Sequence, residues 1–173
     1  MAGESAGQLG RYLPGGENLS DWRTEIDDSI KDFISVAELA HVKLSLDDFE
    51  IDYQEAPHSS SSLPDGKMAI YGFWLDGKWL KIGMAGPNSN ARYTSQHYSP
   101  NSSRSSLAKS LLNDQDMCNW RMQPENIGDW IKNNTSRVNI LVDRKHGTML
   151  LALLEAFLHL RLRPRYERKV PLT

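Results

Sequence analysis

Residues 68–98, MAIYGFWLDGKWLKIGMAGPNSNARYTSQHY, constrain the fold more than any other stretch of this chain. Two apolar-rich runs flank Asp76-Gly77, a dipeptide suited to the left-handed backbone of a tight hairpin turn. Gly83, Gly86 and Pro87 then turn the chain, and Ser89 is placed to cap a helix that runs to about Tyr98 and stops before Pro100. The register of the hairpin decides where its side chains fall. A two-residue Asp76-Gly77 turn pairs Leu75 with Lys78 and sends Tyr71 and Lys81 to opposite faces. A three-residue loop, Leu75-Asp76-Gly77 with Gly77 left-handed, pairs Tyr71 directly with Lys81. It also gathers Met68, Ile70, Trp74, Leu80 and Ile82 on the other side as a core face. The three-residue loop is therefore the expectation.

Upstream, residues 1–19 are rich in Gly and small polar residues around Pro14-Gly15-Gly16 and read as a frayed tail. Ser20 is a good N-cap, with Asp21 and Glu25 near the positive end of the helix that follows. Trp22, Ile26, Ile30, Phe33, Ala37 and Ala40 recur at spacings of three and four and form one apolar stripe. The stripe needs a partner, either the rest of the chain or a second copy, which makes residues 22–40 a candidate homodimer element. Phe49, Ile51 and Tyr53 alternate with Glu50 and Asp52, the pattern of a short edge strand. His58-Ser59-Ser60-Ser61-Ser62 reads as a linker that separates an acidic extension, residues 1–62, from a second unit, residues 63–173.

In that second unit Ser105 or Ser106 starts a helix through Leu112, and Pro124 opens another that ends near Asn133. Residues 137–142 form a β-branched run fit for the third strand of a sheet. Residues 148–162 make a last helix, apolar on almost every side and so expected to be buried.

Charge is divided along the chain. Residues 1–66 carry 14 acids and 4 bases, a net −10, whereas residues 67–173 carry 8 acids and 16 bases, a net +8. The basic part suits a phosphate-binding surface; the acidic part is either a solvated face or a shield over that surface. A single cysteine, Cys118, excludes a disulfide framework within the chain and a Cys-based zinc module. No run of bases followed by an apolar core marks a leader, and the apolar run at 149–158 is too short for a membrane span and contains Glu155. A cytoplasmic location is the expectation.

Glu155 is the most telling single residue. An ionised carboxylate inside Leu150-Leu151-Ala152-Leu153-Leu154-Glu155-Ala156-Phe157-Leu158 is costly unless something pairs with it. A divalent metal at the wall of a cleft would serve, since Mg²⁺ (or Mn²⁺) needs only one or two carboxylates and keeps several waters. A salt bridge to Arg92 or Arg161 would serve as well. Hydrolysis of a phosphodiester needs a proton acceptor for water and cations to hold the phosphate. Tyr71 can accept the proton if its phenol, ordinarily near pKa 10, is lowered by Lys81 across the strand pair. Arg92 offers a planar fork that matches a phosphate. His97 and Tyr98 either assist in proton transfer and phosphate anchoring or are surface residues at a helix end. The base-rich run at 161–169, with Arg163, Arg165, Arg168 and Lys169, reads as a rim for a nucleic-acid backbone, or as cations placed at the negative end of a helix.

These residues, in this order, resemble the GIY-YIG endonuclease superfamily. Its two name motifs correspond to Ala69-Ile70-Tyr71 and Lys81-Ile82-Gly83, and the similarity covers about residues 67–167. The resemblance implies an α+β fold: a small three-stranded antiparallel sheet flanked by helices, here with an N-terminal helical extension. It also implies a Mg²⁺-dependent nuclease with a single metal. Tyr71 would then be the first-motif tyrosine and general base, Arg92 the helix arginine and Glu155 the metal-binding glutamate. Lys81 stands where the second motif usually has tyrosine, a replacement shared by some restriction enzymes of the family. Arg163-Pro164-Arg165-Tyr166-Glu167 matches the family's closing Lys-Pro-x-Tyr-Asn pattern, with Glu167 in place of asparagine. Met84 and Gln96 stand where many members carry Lys or His, and Tyr or His.

The expected function is a metal-dependent DNA endonuclease of restriction or defence type. Its rivals are a GIY-YIG module that binds nucleic acid without cutting it, and a protein-interaction domain that works through the acidic extension.

Overall fold

The computed structural model describes residues 21–103, 106–120 and 122–167. The readings of a frayed tail at 1–19, of Ser20 as a cap, of Ser105 as a helix start, and of Arg168 and Lys169 as backbone contacts lie outside these residues.

Helix α1 (Trp22–Leu39) is capped by Asp21, whose side chain accepts the Arg23 backbone N–H at 3.3 Å. Trp22, Ile26, Ile30, Phe33 and Ala37 are buried as the stripe requires, whereas Ala40, past the last turn, is exposed. The partner of the stripe is the chain's own sheet. The stripe is therefore covered within the chain itself.

The sheet holds four antiparallel strands, not three: β1 (Phe49–Gln54), β2 (Lys67–Leu75), β3 (Lys78–Ala85) and β4 (Ser136–Asp143), in spatial order β1-β4-β2-β3. The added strand is the edge strand from the acidic extension, paired with β4 along its whole length. Residues on both sides of the Ser-rich run thus share one sheet. His58, inside that run, is itself buried.

The β2–β3 hairpin departs from the expected loop. Asp76 (φ 45°) and Gly77 (φ 81°) are both left-handed and form a two-residue turn that pairs Leu75 with Lys78 and Trp74 with Trp79. Leu80 is then an extra residue, and pairing resumes at Phe73 with Lys81 and Tyr71 with Gly83. This bulge returns Lys81 to the face of Tyr71, displaced by one diagonal step. Leu80 consequently packs beside Tyr71 and not with Ile70 and Ile82.

The remaining helices are short except the last. Residues expected as one helix up to Tyr98 form α2 (Asn90–Thr94) and a separate 3₁₀ turn (Gln96–Tyr98). Helix α3 (Leu107–Leu112) is capped by Ser106, whose Oγ accepts the Lys109 N–H, and α4 (Ile127–Asn134) starts three residues after Pro124. Helix α5 (Gly147–Leu162) buries Leu150, Leu151, Leu154, Leu158 and Leu162 but leaves Met149 82% and Leu160 67% exposed. Only one side of it meets the protein, so its uniform apolarity does not translate into uniform burial.

The sheet separates two cores. Helices α1 and α5 cover one face, over Met68, Ile70, Ile82, Val138, Ile140 and Val142. The short helices α2, α3 and α4 cover the other, over Ala69, Tyr71, Phe73, Leu80 and Leu141. Among the described residues no helix is long and apolar enough to cross a membrane.

Candidate active site

Two adjacent rows across the sheet set out the site. Strand register aligns Asp52, Asn139, Tyr71 and Gly83 in one row and Gln54, Arg137, Phe73 and Lys81 in the next. Alternation along each strand turns both rows toward the short helices. Gly83 has no side chain, and the Tyr71 ring occupies the space: an ideal Cβ on Gly83 would lie 2.6 Å from Tyr71 Oη and 2.8 Å from its Cζ. The phenol is thereby carried toward edge strand β3.

Two nitrogen donors meet the Tyr71 oxygen there. Arg92 Nε donates to Oη at 3.1 Å, and His97 Nε2 lies 2.7 Å from it. The tautomer of His97 follows from its other nitrogen, because Nδ1 accepts the Leu107 backbone N–H at 3.3 Å. Nε2 must then carry the ring proton and donate it to Tyr71. With two N–H groups on one phenol oxygen, the hydroxyl's own proton points elsewhere. Burial, followed by the nearby Lys81, Arg92 and Arg137, pushes the His97 pKa down to about 3, so the ring stays neutral.

Burial also raises the Tyr71 pKa above that of an ordinary phenol; Arg92 and Arg137 oppose the rise, and Glu155 adds to it. The expectation that Lys81 lowers this phenol is not met. Lys81 is buried and its Nζ donates to Glu167 Oε1 at 2.9 Å. The bulge explains that pairing: Trp79 and Leu80 present carbonyls that accept the Arg165 and Tyr166 N–H groups, each at 2.9 Å. The chain leaving α5 is thus moored to β3 and delivers Glu167 to Lys81. His159 Nε2 is 3.9 Å from the same carboxylate oxygen.

Glu155 lies half-buried on α5, and its charge is felt by both Tyr71 and Arg92. Neither expected salt bridge forms: Arg161 pairs with Asp32 at 2.6 Å and Arg92 bonds to Tyr71. Among the described residues no hydrogen bond or ion pair engages the Glu155 carboxylate. Burial tends to lower Arg92, but Tyr71, Glu155 and Glu167 outweigh it and hold the guanidinium above its ordinary pKa.

The other sequence candidates fall elsewhere. Tyr98 does not join Tyr71; its oxygen accepts Arg137 Nη1–H at 2.8 Å and donates to His58 Nε2 at 2.9 Å. His58 in turn donates from Nδ1 to the Thr135 carbonyl at 2.7 Å. Arg163 is exposed at the left-handed end of α5 (φ 48°). Arg165 is tied to Asp114 (2.7 and 3.0 Å) and Asp116 (2.7 Å), so it serves the mooring of this segment. An open depression of about 570 Å³ adjoins Glu167, lined by Ser110, Asn113, Asp114, Gln115 and Tyr166.

Three participants went unread in the sequence: His58, Arg137 and His159. His58 sits in a serine run that looks like a linker, and Arg137 opens a β-branched run as any edge arginine would. Strand pairing places Arg137, and hydrogen bonds from His58 to the Lys132 and Thr135 carbonyls place the histidine beside Tyr98.

No protein-family model, curated protein or solved structure matches this chain.

Proposed function

We propose that the protein is a metal-dependent nuclease of GIY-YIG type that hydrolyses phosphodiester bonds in DNA. One observation carries the reading: a phenol oxygen held by Arg92 and His97, within electrostatic reach of a half-buried Glu155 carboxylate that no described residue pairs with. Among the described residues no group of three or more His, Cys, Asp or Glu side chains gathers to enclose a metal. Mg²⁺ or Mn²⁺ fits a single carboxylate all the same, because such ions keep several waters and share substrate phosphate oxygens. Bound at Glu155, the ion would act as a Lewis acid that offsets charge on the phosphate.

The chain's own residues divide the remaining work. Arg92 presents its outer nitrogens to a phosphate while Nε holds Tyr71. Tyr71 takes the proton of the attacking water as a phenolate, the form favoured by two fixed donors and opposed by burial. His97, neutral and locked in one tautomer, keeps the phenol oxygen aimed. Lys81, buried, is neutralised by the partly exposed Glu167, and exposed Arg163 is free to meet a phosphate of the nucleic-acid backbone.

Supercoiled, relaxed and single-stranded DNA incubated with Mg²⁺, Mn²⁺ or chelator, with Glu155→Ala alongside, tests the proposal. Metal-dependent cutting that disappears in Glu155→Ala supports it. DNA binding without cutting under any condition would overturn it in favour of a binding module, a reading to which the Lys81–Glu167 pair lends weight because it already satisfies one cation. Neither cutting nor binding would direct attention to the acidic extension as a protein-binding surface.

A further inference from the structure

We propose that Arg137 is the positioning residue of the site: its buried guanidinium fastens the segment that carries Arg92 and His97 at both ends. The inference rests on the reading of Tyr71 as the reacting group. Arg137 is 1% exposed and is among the largest fully buried side chains. Its Nη2 donates to the Tyr93 carbonyl at 2.8 Å, one residue after Arg92. Its Nη1 donates to Tyr98 Oη at 2.8 Å, one residue after His97. Its Nε donates to Asn139 Oδ1 at 2.8 Å, and Asn139 passes the interaction to Asp52 Oδ2 at 3.0 Å. The fork therefore spans the irregular stretch between α2 and the 3₁₀ turn, which no regular helix holds in shape.

The guanidinium also lies under the aromatic floor, 4.8 Å from the Tyr93 ring centre, 5.5 Å from Phe73 and 5.7 Å from Tyr71. Burying a cation whose direct partners are all neutral is expensive, and an apolar side chain of similar volume would pack more cheaply. The placement makes sense if the fork fixes something that packing alone would leave free. What it fixes is the pair of donors on Tyr71: Arg92 Nε and His97 Nε2. The titratable groups that face that phenol are the charged Arg92 from α2, Arg137 from β4 and Glu155 from α5 and the neutral His97 from the 3₁₀ turn, with Lys81 on β3 and Glu167 behind them.

The test uses two variants and a readout that needs no substrate. Arg137→Lys keeps a buried cation but cannot span both anchors. Tyr98→Phe leaves Arg137 whole and removes only the anchor at the His97 end. Imidazole ¹⁵N resonances of His97 report its tautomer, and plasmid nicking reports kcat and KM. The expected result is a fixed Nε2–H tautomer in the wild type that becomes mixed in both folded variants. Alongside it, kcat should fall tenfold or more at nearly unchanged KM. An unaltered His97 tautomer in either folded variant would overturn the proposal and leave Arg137 as a packing residue. Should Arg137→Lys fail to fold, Tyr98→Phe decides. Absence of nicking in the wild type would refute the nuclease reading alone, and the ¹⁵N spectra would still decide the role of Arg137.

Discussion

Tyr71 and Gly83 face each other across β2 and β3, and the phenol lies over the glycine so closely that a methyl group there would meet Oη at 2.6 Å. A glycine at this position is therefore a requirement of close approach, which the sequence alone presents only as a turn signal. Gly83→Ala is expected to lower stability by about 1–3 kcal/mol, as overpacking of a filled site does. It should also abolish nicking by moving Oη off Arg92 and His97. Urea midpoints and nicking rates of the variant check both effects; unchanged rates would mean that the ring position does not matter.

Nicking should rise with pH. The Tyr71 pKa is raised above its ordinary value, so the phenolate fraction grows about tenfold per pH unit through the neutral and mildly alkaline range. Tyr71→Phe should remove that pH dependence along with roughly 10²–10⁴-fold of the rate. A profile flat from pH 7 to 9 in the wild type would argue against a phenol as the proton acceptor.

Mild acid should destabilise the protein through two buried imidazoles. Burial pushes His58 down to about 4 and His97 to about 3, against an ordinary value near 6.5. Between pH 6.5 and these values the unfolded chain binds protons that the folded chain refuses. The stability is thus complete above pH 6.5, falls as pH drops from 6.5 to about 4 for His58 and to about 3 for His97, and changes no further below those values. Each histidine is worth on the order of 2 kcal/mol between pH 7 and pH 5. Urea unfolding of His58→Gln and His97→Gln at those two pH values should show a loss smaller than in the wild type by that amount.

Two arginines read alike in the sequence should behave differently. Arg163 is exposed and unpaired among the described residues, so Arg163→Ala should weaken DNA binding and reduce the slope of log affinity against log salt by about 1. Arg165 is held by Asp114 and Asp116, so Arg165→Ala should leave that slope unchanged and lower stability by about 1 kcal/mol. Affinity measured across a salt series separates the two outcomes.

Deletion of residues 1–62 should not release a free basic unit. It removes α1 and β1, and with them Trp22, Ile26, Ile30, Phe33 and Phe49 from the core that covers Met68, Ile70, Ile140 and Val142. The expected product is aggregated, with poorly dispersed amide resonances. Charge shielding by the acidic region is better tested by combining Glu38→Gln, Asp47→Asn and Glu50→Gln, three exposed positions. DNA binding at low salt should tighten in that variant, and no change would dispose of the shield.

The elements themselves were largely legible, because each has a local cause. The apolar spacing of residues 22–37, the alternation at 49–53, the β-branched run at 137–142 and the Ser106 cap all act within a few residues of chain. The hairpin shows where local reading fails. A three-residue loop is the simplest way to bring Tyr71 and Lys81 onto one face, whereas the chain uses the tighter turn and recovers the face through a bulge at Leu80.

The sequence by itself determined that Tyr71, Lys81, Arg92 and Glu155 occur in an order and chemistry fit for one surface, since residue type and spacing are properties of the chain. Only the tertiary structure decided what each of them touches. Pairing of β1 with β4 and of β4 with β2 aligned Asp52, Asn139, Tyr71 and Gly83, residues up to 87 positions apart, in one row. Docking of Arg165 and Tyr166 on the bulge gave Lys81 to Glu167, and burial of Arg137 beneath Tyr93 and Tyr98 fixed the donors on Tyr71. Such contacts depend on register and on which groups lose water together, and neither is recorded in any short stretch of chain.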